Sequence, residues 1–260
     1  MTSKPSLTWA VSSDPGLKRS SNEDSYSTRP DVGLFVVADG MGGHVAGEVA
    51  SRVAVEAIEA FIEETAGADK NRTWPFPFDP TVSLESNRLR AAFRIANHKI
   101  AAAIADSQDL RGMATTASAV LVGTHGASVA HVGDSRVYVL RDGQLNQITH
   151  DHSWVEEQVR AGTLSPTAAR QHPWRNVVTR ALSGGDDPEV DLTEVAPHPG
   201  ERYLLCSDGL FTVVSDSRIA QLLSQTDTPL DAICQALVQA ANEAGGPDNI
   251  TTLILQIDAP

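Results

Sequence analysis

Four aspartates in this sequence stand beside glycine at the ends of apolar runs, a pattern suited to binding a hard cation. They are Asp39, Asp134, Asp208 and Asp248. Asp39 ends the apolar run 34–38, and three glycines follow it within four residues. Glycine lets the backbone come close to whatever the carboxylate holds. A single Asp-Gly pair after a strand is more simply explained as a turn. The metal-binding interpretation therefore depends on the repetition of aspartate beside glycine at four places.

Carboxylates that converge at the rim of a sheet must be neutralised, because desolvating an unpaired ion costs several kcal/mol. All-oxygen ligation favours Mg²⁺ or Mn²⁺ over zinc. Two such ions, roughly 3.5–4 Å apart, can share a hydroxide and support an in-line displacement at phosphorus. Spacing along the chain does not itself establish that the four side chains converge.

Length, composition and charge limit the classes of protein to consider. The 260 residues fit one large domain or two small ones, and an apolar content of 41% is ample for a core. The net charge of −13 argues against nucleic acid or an anionic membrane as the main partner. An acidic protein that handles anionic phosphoesters needs local positive charge, most simply from metal ions.

The two cysteines and the hydropathy pattern predict a cytoplasmic protein. Residues 1–7 contain no long apolar run, and no segment reaches the 18 or so apolar residues of a membrane span. Cys206 and Cys234 give no disulfide framework. Neither begins the Cys-x5-Arg loop of a thiol phosphatase, because Thr212 and Ala240 occupy the arginine positions.

The elements that must position the aspartates are mainly neighbouring strands, which indicates antiparallel sheets. Strands are predicted at 7–12, 25–28, 34–38, 117–122, 127–132, 136–141, 144–148, 203–206 and 250–257. Helices are predicted from about 45 to 62 and 89 to 104, at 154–161, from 165, at 216–224 and at 230–244.

Two further features leave alternatives open. The loop 67–83 carries three prolines and the aromatic residues Trp74, Phe76 and Phe78; folding back over its own domain is favoured over docking a partner. His150-x-His152 has the spacing of a metal-binding pair, but loop histidines beside a capping serine are commoner.

Five blocks of this sequence resemble the signature blocks of the bacterial PPM family, the metal-dependent type 2C Ser/Thr protein phosphatases. The blocks are Arg19-x-x-Asn22-Glu23-Asp24, Val37 to His44, Gly133 to Arg136, Cys206 to Gly209 and Gly246 to Asn249. They occur in the family's order and spacing, and the match runs from about Leu7 to Ile257.

The resemblance implies an α+β fold: a four-layer α-β-β-α sandwich in which two antiparallel β-sheets are flanked by helices. It implies one phosphatase domain over 1–260, with a mobile flap at about 152–176. Two core Mn²⁺ or Mg²⁺ ions, and the third ion of bacterial members, would lie in a cleft at one edge.

The resemblance also assigns metal ligands. Asp39 would bridge the two core ions, and the Gly40 carbonyl would help to bind one of them. Asp208 and Asp248 would hold the other ion. Asp134 would serve, with Asp208, the weaker third ion found in bacterial members.

The remaining candidate site residues act on the phosphate and on water. Arg19 matches the phosphate-clamping arginine, whose planar fork suits a tetrahedral oxyanion. Glu23 and Asp24 match acids that order metal-bound water. His44 is a candidate proton donor, a role that a water could fill instead.

The function implied is one-step hydrolysis of phosphoserine and phosphothreonine in proteins by a hydroxide that bridges the two ions. The expected partners are phosphoproteins and a cognate Ser/Thr kinase, with no nucleic acid or membrane, and the chain is expected to be a monomer. Two rivals are a non-catalytic regulator that keeps the fold and a hydrolase of a small phosphorylated metabolite. Loss of a metal acid or of the arginine would favour the regulator, and all are present here.

Overall fold

The computed structural model describes residues 5–42, 45–69, 71–124 and 126–258. The strands are β1 Leu7–Asp14, β2 Asp24–Arg29, β3 Leu34–Met41, β4 Ala114–Thr115, β5 Ala117–Val122, β6 Ala127–Val132, β7 Arg136–Arg141, β8 Gln144–Gln147, β9 Asp191–Val195, β10 Arg202–Cys206 and β11 Ile250–Ile257. The α-helices are α1 Ala46–Glu64, α2 Leu84–Asp106, α3 Trp154–Arg160, α4 Pro166–Arg170, α5 Asp208–Phe211, α6 Asp216–Leu223 and α7 Leu230–Glu243. None of the helices in these ranges is both long and apolar enough to cross a membrane.

The strands form two sheets in which neighbouring strands are antiparallel. One sheet has the order β1-β11-β10-β7-β8, and the other has the order β2-β3-β5-β6-β9, with β4 paired to β3. The predicted α+β sandwich of two antiparallel sheets and outer helices is confirmed.

Alternate residues of the central strands face different apolar layers, which is why a four-layer architecture forms. In β3, Leu34, Val36 and Ala38 pack with residues of α1 and α2, whereas Phe35 and Val37 belong to the layer between the sheets. Strand β10 does the same with the other helices: its Leu204 and Cys206 pack with α6 and α7, and its Tyr203 and Leu205 face the sheet that contains β3. Because both faces of these strands are covered, they read as continuous apolar runs.

Several strand ends and short elements differ from the sequence prediction. Strand β3 continues past residue 38 to Met41, because Gly40 and Met41 pair with Thr115 and Ala114 of β4. Strand β9 was not predicted, because only its pairing with β6 makes the partly exposed, polar segment extended. Asp208 starts the short helix α5, where a turn at glycine was expected.

The proline-rich loop 67–83 folds back over its own domain, as favoured from the sequence. Trp74 and Phe76 pack against the apolar layer under α1 and α2. The Trp74 ring lies 6.5 Å from that of Phe61 in α1, and Arg94 of α2 lies 5.3 Å from the centre of the Phe76 ring. These aromatics therefore serve the core of the helical layer.

Candidate metal and phosphate site

Five aspartates face one another at the edge of the sandwich where β2, β3, β10 and β11 meet. Asp24 and Asp39 are directly opposite each other in the β2–β3 register. Burial raises the pKa of Asp39 well above its usual value, and the neighbouring charges of Asp24, Asp208, Asp134 and Asp248 raise it further. The four glycine-flanked aspartates of the sequence therefore share one electrostatic environment, and Asp24 is a fifth member.

Asp208 lies beside Asp39 in this cluster, and its charge is one of those that raise the pKa of Asp39. Burial, followed by the charges of Asp134 and Asp248, raises the pKa of Asp208 well above its usual value. The Oδ1 atom of Asp208 is buried and has no hydrogen-bond partner in the described part of the chain. A divalent cation held by Asp39 and Asp208 would neutralise their charge and satisfy the orphaned oxygen.

Asp24 and Asp134 are also buried acids, each with 9% of its surface exposed. Burial raises the pKa of Asp24 to about 6, although hydroxyl donors from Thr251 and Ser207 oppose that rise. Ser207 Oγ lies 2.7 Å and Thr251 Oγ1 2.6 Å from Asp24 Oδ2, while Asp24 Oδ1 has no partner among the residues described. Burial, and next the charge of Asp151, raises the pKa of Asp134 to about 7.

Gly40 and Gly47 let three chain segments meet at Asp39. A side chain at Gly40 would overlap the Gly47 carbonyl and the Glu23 carbonyl, and one at Gly47 would overlap the Glu23 carboxylate. The Gly40 N–H donates to the Glu23 carbonyl at 3.1 Å. Burial raises the pKa of Glu23, with Arg19 opposing the rise. The glycines after Asp39 therefore permit a close approach of backbone, as their spacing predicted.

Arg19 lies at the mouth of the acidic cluster. Its Nη2 donates to Asp248 Oδ2 at 2.6 Å, and 53% of its side chain is exposed. A guanidinium has five N–H donors, so this ion pair leaves most of them available to a phosphate. Asp248 is itself held by its neighbour, whose backbone N–H donates to Asp248 Oδ1 at 2.9 Å.

Asn249 is a positioning residue to which the sequence argument gave no role. Its Nδ2 donates to the carbonyls of Pro15 and Ser21 at 2.9 and 2.8 Å, and its Oδ1 accepts from the Glu23 N–H at 2.8 Å. Asn249 thereby ties the loop that carries Arg19 to the start of β11, next to Asp248. In the sequence, the only signal for this positioning role is that Asn249 stands next to Asp248, a candidate metal ligand.

The two histidines of the His150-x-His152 motif do not form a metal site. His152 is 3% exposed; its Nδ1 accepts from the Gly133 N–H at 3.1 Å, so its Nε2 carries the proton and donates to Asp191 Oδ2 at 3.1 Å. Both ring nitrogens are therefore engaged. His152 holds the Gly133–Asp134 turn instead. The other candidate histidine, His44, lies outside the described residues.

The donor set fits Mg²⁺ or Mn²⁺ better than a metal that needs a closed protein cage. Among the described residues no group of three or more His, Cys, Asp or Glu side chains is arranged to enclose an ion by itself. The orphaned oxygens of Asp24 and Asp208, together with Asp39 and the Gly40 backbone, suit an ion that keeps several waters, as Mg²⁺ does. Asp248, the third expected ligand of one core ion, is engaged by Arg19 here.

Comparison with known proteins agrees with this geometry. A family model described as protein phosphatase 2C matches residues 18–253. The serine/threonine protein phosphatase PstP of Mycobacterium tuberculosis is 39% identical over 251 residues, which is 96% of this chain and 45% of that protein. The chain therefore spans less than half the length of that curated relative.

Two solved structures show the same fold along nearly the whole chain. The catalytic domain of PstP in complex with two manganese ions matches with a TM-score of 0.81 and 37% identity, covering 97% of this chain and 99% of that one. The serine/threonine phosphatase Stp1 of Staphylococcus aureus matches with a TM-score of 0.85 and 30% identity, and the match covers 100% of this chain and 98% of that one. With the five sequence blocks brought to one edge of this sandwich, the chain belongs to the protein phosphatase 2C (PPM) family.

Proposed function

We propose that this chain is a metal-dependent protein phosphatase that hydrolyses phosphoserine and phosphothreonine in one step, without a phosphoenzyme. The convergence of the buried carboxyl groups of Asp39 and Asp208 with three further aspartates carries the proposal. Such a cluster is costly unless cations neutralise it. Support comes from PstP and Stp1, which are named as serine/threonine phosphatases, and from the two manganese ions in the PstP structure.

Each acid has a proposed role at the metal site. Asp39, Asp208, Asp248 and the Gly40 carbonyl would hold two core ions. Asp134 would join Asp208 in holding a third, weaker ion. When bound, the two Mn²⁺ or Mg²⁺ ions would lower the pKa of water to give a hydroxide nucleophile at neutral pH and neutralise charge on the phosphoryl oxygens.

The remaining residues act on substrate and water. Arg19 places its free N–H donors on the phosphate while Asp248 holds one edge of the guanidinium. Asp24 and Glu23 accept hydrogen bonds from water in the cleft. Asp24 is fixed for this task by Ser207 and Thr251. For the proton of the leaving alkoxide, His44 and a water stay the candidates.

The proposed substrates are phosphoproteins, which a Ser/Thr kinase must supply. The proposal takes 1–260 as one catalytic domain that acts as a monomer, without nucleic acid or membrane as a partner. A cytoplasmic location agrees with the two free, buried thiols of Cys206 and Cys234.

The test is a phosphate-release assay on a phosphothreonine peptide, with Asp39→Asn as the matched inactive control. Chelation should abolish release, and Mn²⁺ or Mg²⁺ should restore it. Ca²⁺ should not, because it prefers longer bonds and more ligands. Okadaic-type inhibitors should have no effect, as the family resemblance implies.

Three outcomes would contradict the proposal. Full activity in excess EDTA excludes the metal mechanism. A preference for a panel of phosphorylated metabolites over the peptide makes the chain a metabolite hydrolase. No release from any substrate with Mn²⁺ present makes it a non-catalytic member of the family.

A further inference from the structure

The segment 152–176, which contains α3 and α4, begins beside the acidic cluster. The His152 N–H donates to the Gly133 carbonyl at 2.7 Å, next to Asp134. The Trp154 N–H donates to the Val177 carbonyl at 2.9 Å, which ties the end of the segment back to its start. Both ends of the segment are therefore held near the turn that carries Asp134.

The charge of this segment is opposite to that of the protein. Residues 152–176 contain three arginines and two glutamates, a net charge of +1, although the whole chain carries −13. Arg160, Arg170 and Arg175 are all exposed. None of these three forms an ion pair with a described residue, whereas Arg29 and Arg136 are each paired with acids.

Interaction with the carbonyls at helix ends explains the positions of two of the three unpaired arginines. Arg160 and Arg170 each lie in the last turn of a helix, where a cation interacts favourably with the terminal carbonyls. This effect is small for a helix as short as α4, and it does not apply to Arg175, which follows the helix in an exposed turn.

Three aromatic rings form a fixed platform between the arginines. The rings of Trp154 and His172 are stacked at 4.7 Å, and Trp174 meets Trp154 edge-on at 4.8 Å. The backbone N–H of Trp174 donates to His172 Nδ1 at 3.1 Å, and this bond fixes the turn between the two residues. Even so, 54% of the surface of Trp174 is exposed, so its ring is accessible to a ligand.

We propose that Arg170, Trp174 and Arg175, here named the flap surface, bind an acidic stretch of the phosphoprotein substrate that flanks the phosphoresidue. The inference rests on the proposed phosphatase function and names a substrate class for it. Arginine pairs bidentately with carboxylates and phosphates, so a second phosphorylated residue in that stretch is bound in the same way. Trp174 supplies apolar contact for side chains between the charges.

An acidic peptide fits this surface better than a nucleic acid does. At physiological ionic strength charges interact over about 8 Å, so a short peptide responds to the local arginines. A long polyanion also meets the surrounding acidic surface of a chain that carries −13. The flap surface is therefore expected to recognise a few adjacent negative charges.

Kinetics on paired peptides test the proposal. One phosphothreonine peptide carries Asp and Glu beside the phosphoresidue, and its partner carries Asn and Gln at the same positions. The wild-type protein should have the lower KM for the acidic peptide, and the advantage should shrink in high salt. The double variant Arg170→Glu/Arg175→Glu should raise the KM for the acidic peptide about tenfold with little change in kcat. A smaller increase is expected for Trp174→Ala.

Arg218→Glu is the matched control, because Arg218 is an exposed arginine of α6 and is not part of the flap surface. It should leave the peptide preference unchanged. All variants should hydrolyse p-nitrophenyl phosphate at the wild-type rate, since that substrate is too small to reach the flap surface. An equal effect of the control and the double variant, or no preference of the wild type for the acidic peptide, would overturn the proposal.

Fluorescence anisotropy with a labelled, unphosphorylated acidic peptide separates this proposal from the catalytic one. Binding should weaken in the double variant and persist in Arg218→Glu, whether or not the protein hydrolyses anything. If single-stranded DNA of equal charge binds more tightly than the peptide, the surface is a nucleic-acid site and the assignment is wrong.

Discussion

Replacing Asp134 by asparagine should stabilise the metal-free protein at alkaline pH. Burial and the nearby charge of Asp151 raise the pKa of Asp134 from the usual 3.8 to about 7 in the folded state. A pKa difference of that size corresponds to about 4 kcal/mol of unfavourable charging at a pH well above 7. Because Asp134 interacts with other acids that can share its proton, we expect a gain in unfolding free energy of about 2–4 kcal/mol at pH 8.

The pH dependence has a definite sign. The folded pKa lies above the unfolded one, so the stabilising contribution of the protonated group is present at about pH 4 and is lost as the pH rises toward and through 7. The metal-free wild-type protein therefore becomes less stable across that window. The advantage of Asp134→Asn should grow from near zero at pH 4 to its full value at pH 8.

Thermal unfolding in excess EDTA, followed at pH 5, 6, 7 and 8, measures this effect. For a protein of this size the gain corresponds to an increase in Tm of about 4–16 °C at pH 8. Asp227→Asn is the control, since Asp227 is exposed and outside the cluster. The same Tm for Asp134→Asn and wild type at pH 8, or an equal gain at pH 5 and pH 8, would refute the reasoning.

Three further predictions concern the phosphate, the metals and the fold. Arg19→Ala should raise KM more than it lowers kcat, because a ground-state clamp acts on substrate and transition state together; a fall in kcat at unchanged KM contradicts this. Asp39→Asn should lower activity by about 10³-fold or more, and Asp248→Asn should lower it nearly as much. Asp134→Ala should still bind two Mn²⁺ ions tightly in titration calorimetry, although its activity on protein substrates should drop. Arg202→Met should cost about 2 kcal/mol of unfolding free energy in denaturant titrations at unchanged KM, because the buried guanidinium donates to the carbonyls of Leu223 and Gln225 at the end of α6. Equal stability of the variant and the wild type refutes that role.

The local pattern of apolar and polar residues was sufficient to predict most of the strands and helices. Strands β5, β6, β7 and β11 lie at the predicted residues, because apolar runs of strand length bounded by glycine or aspartate admit few alternatives. The polar strand β9 lacked that signal, since its conformation depends on pairing with β6 across a long separation in the chain. Helix α5 was missed for the same reason: its few residues have no periodicity of their own.

The sequence by itself identified the aspartates that could hold a metal, because carboxylates beside glycine recur at the ends of apolar runs. Arg19 was identified only because its block resembles a PPM signature block. Only the tertiary structure decided that Asp208 lies beside Asp39 and that Asp248 engages Arg19, since these residues are separated by more than 150 positions in the chain. Their distances depend on how the two sheets stack, which no local pattern encodes. The clamp formed by Asn249 likewise exists only because loops from both ends of the chain meet at one edge of the sandwich.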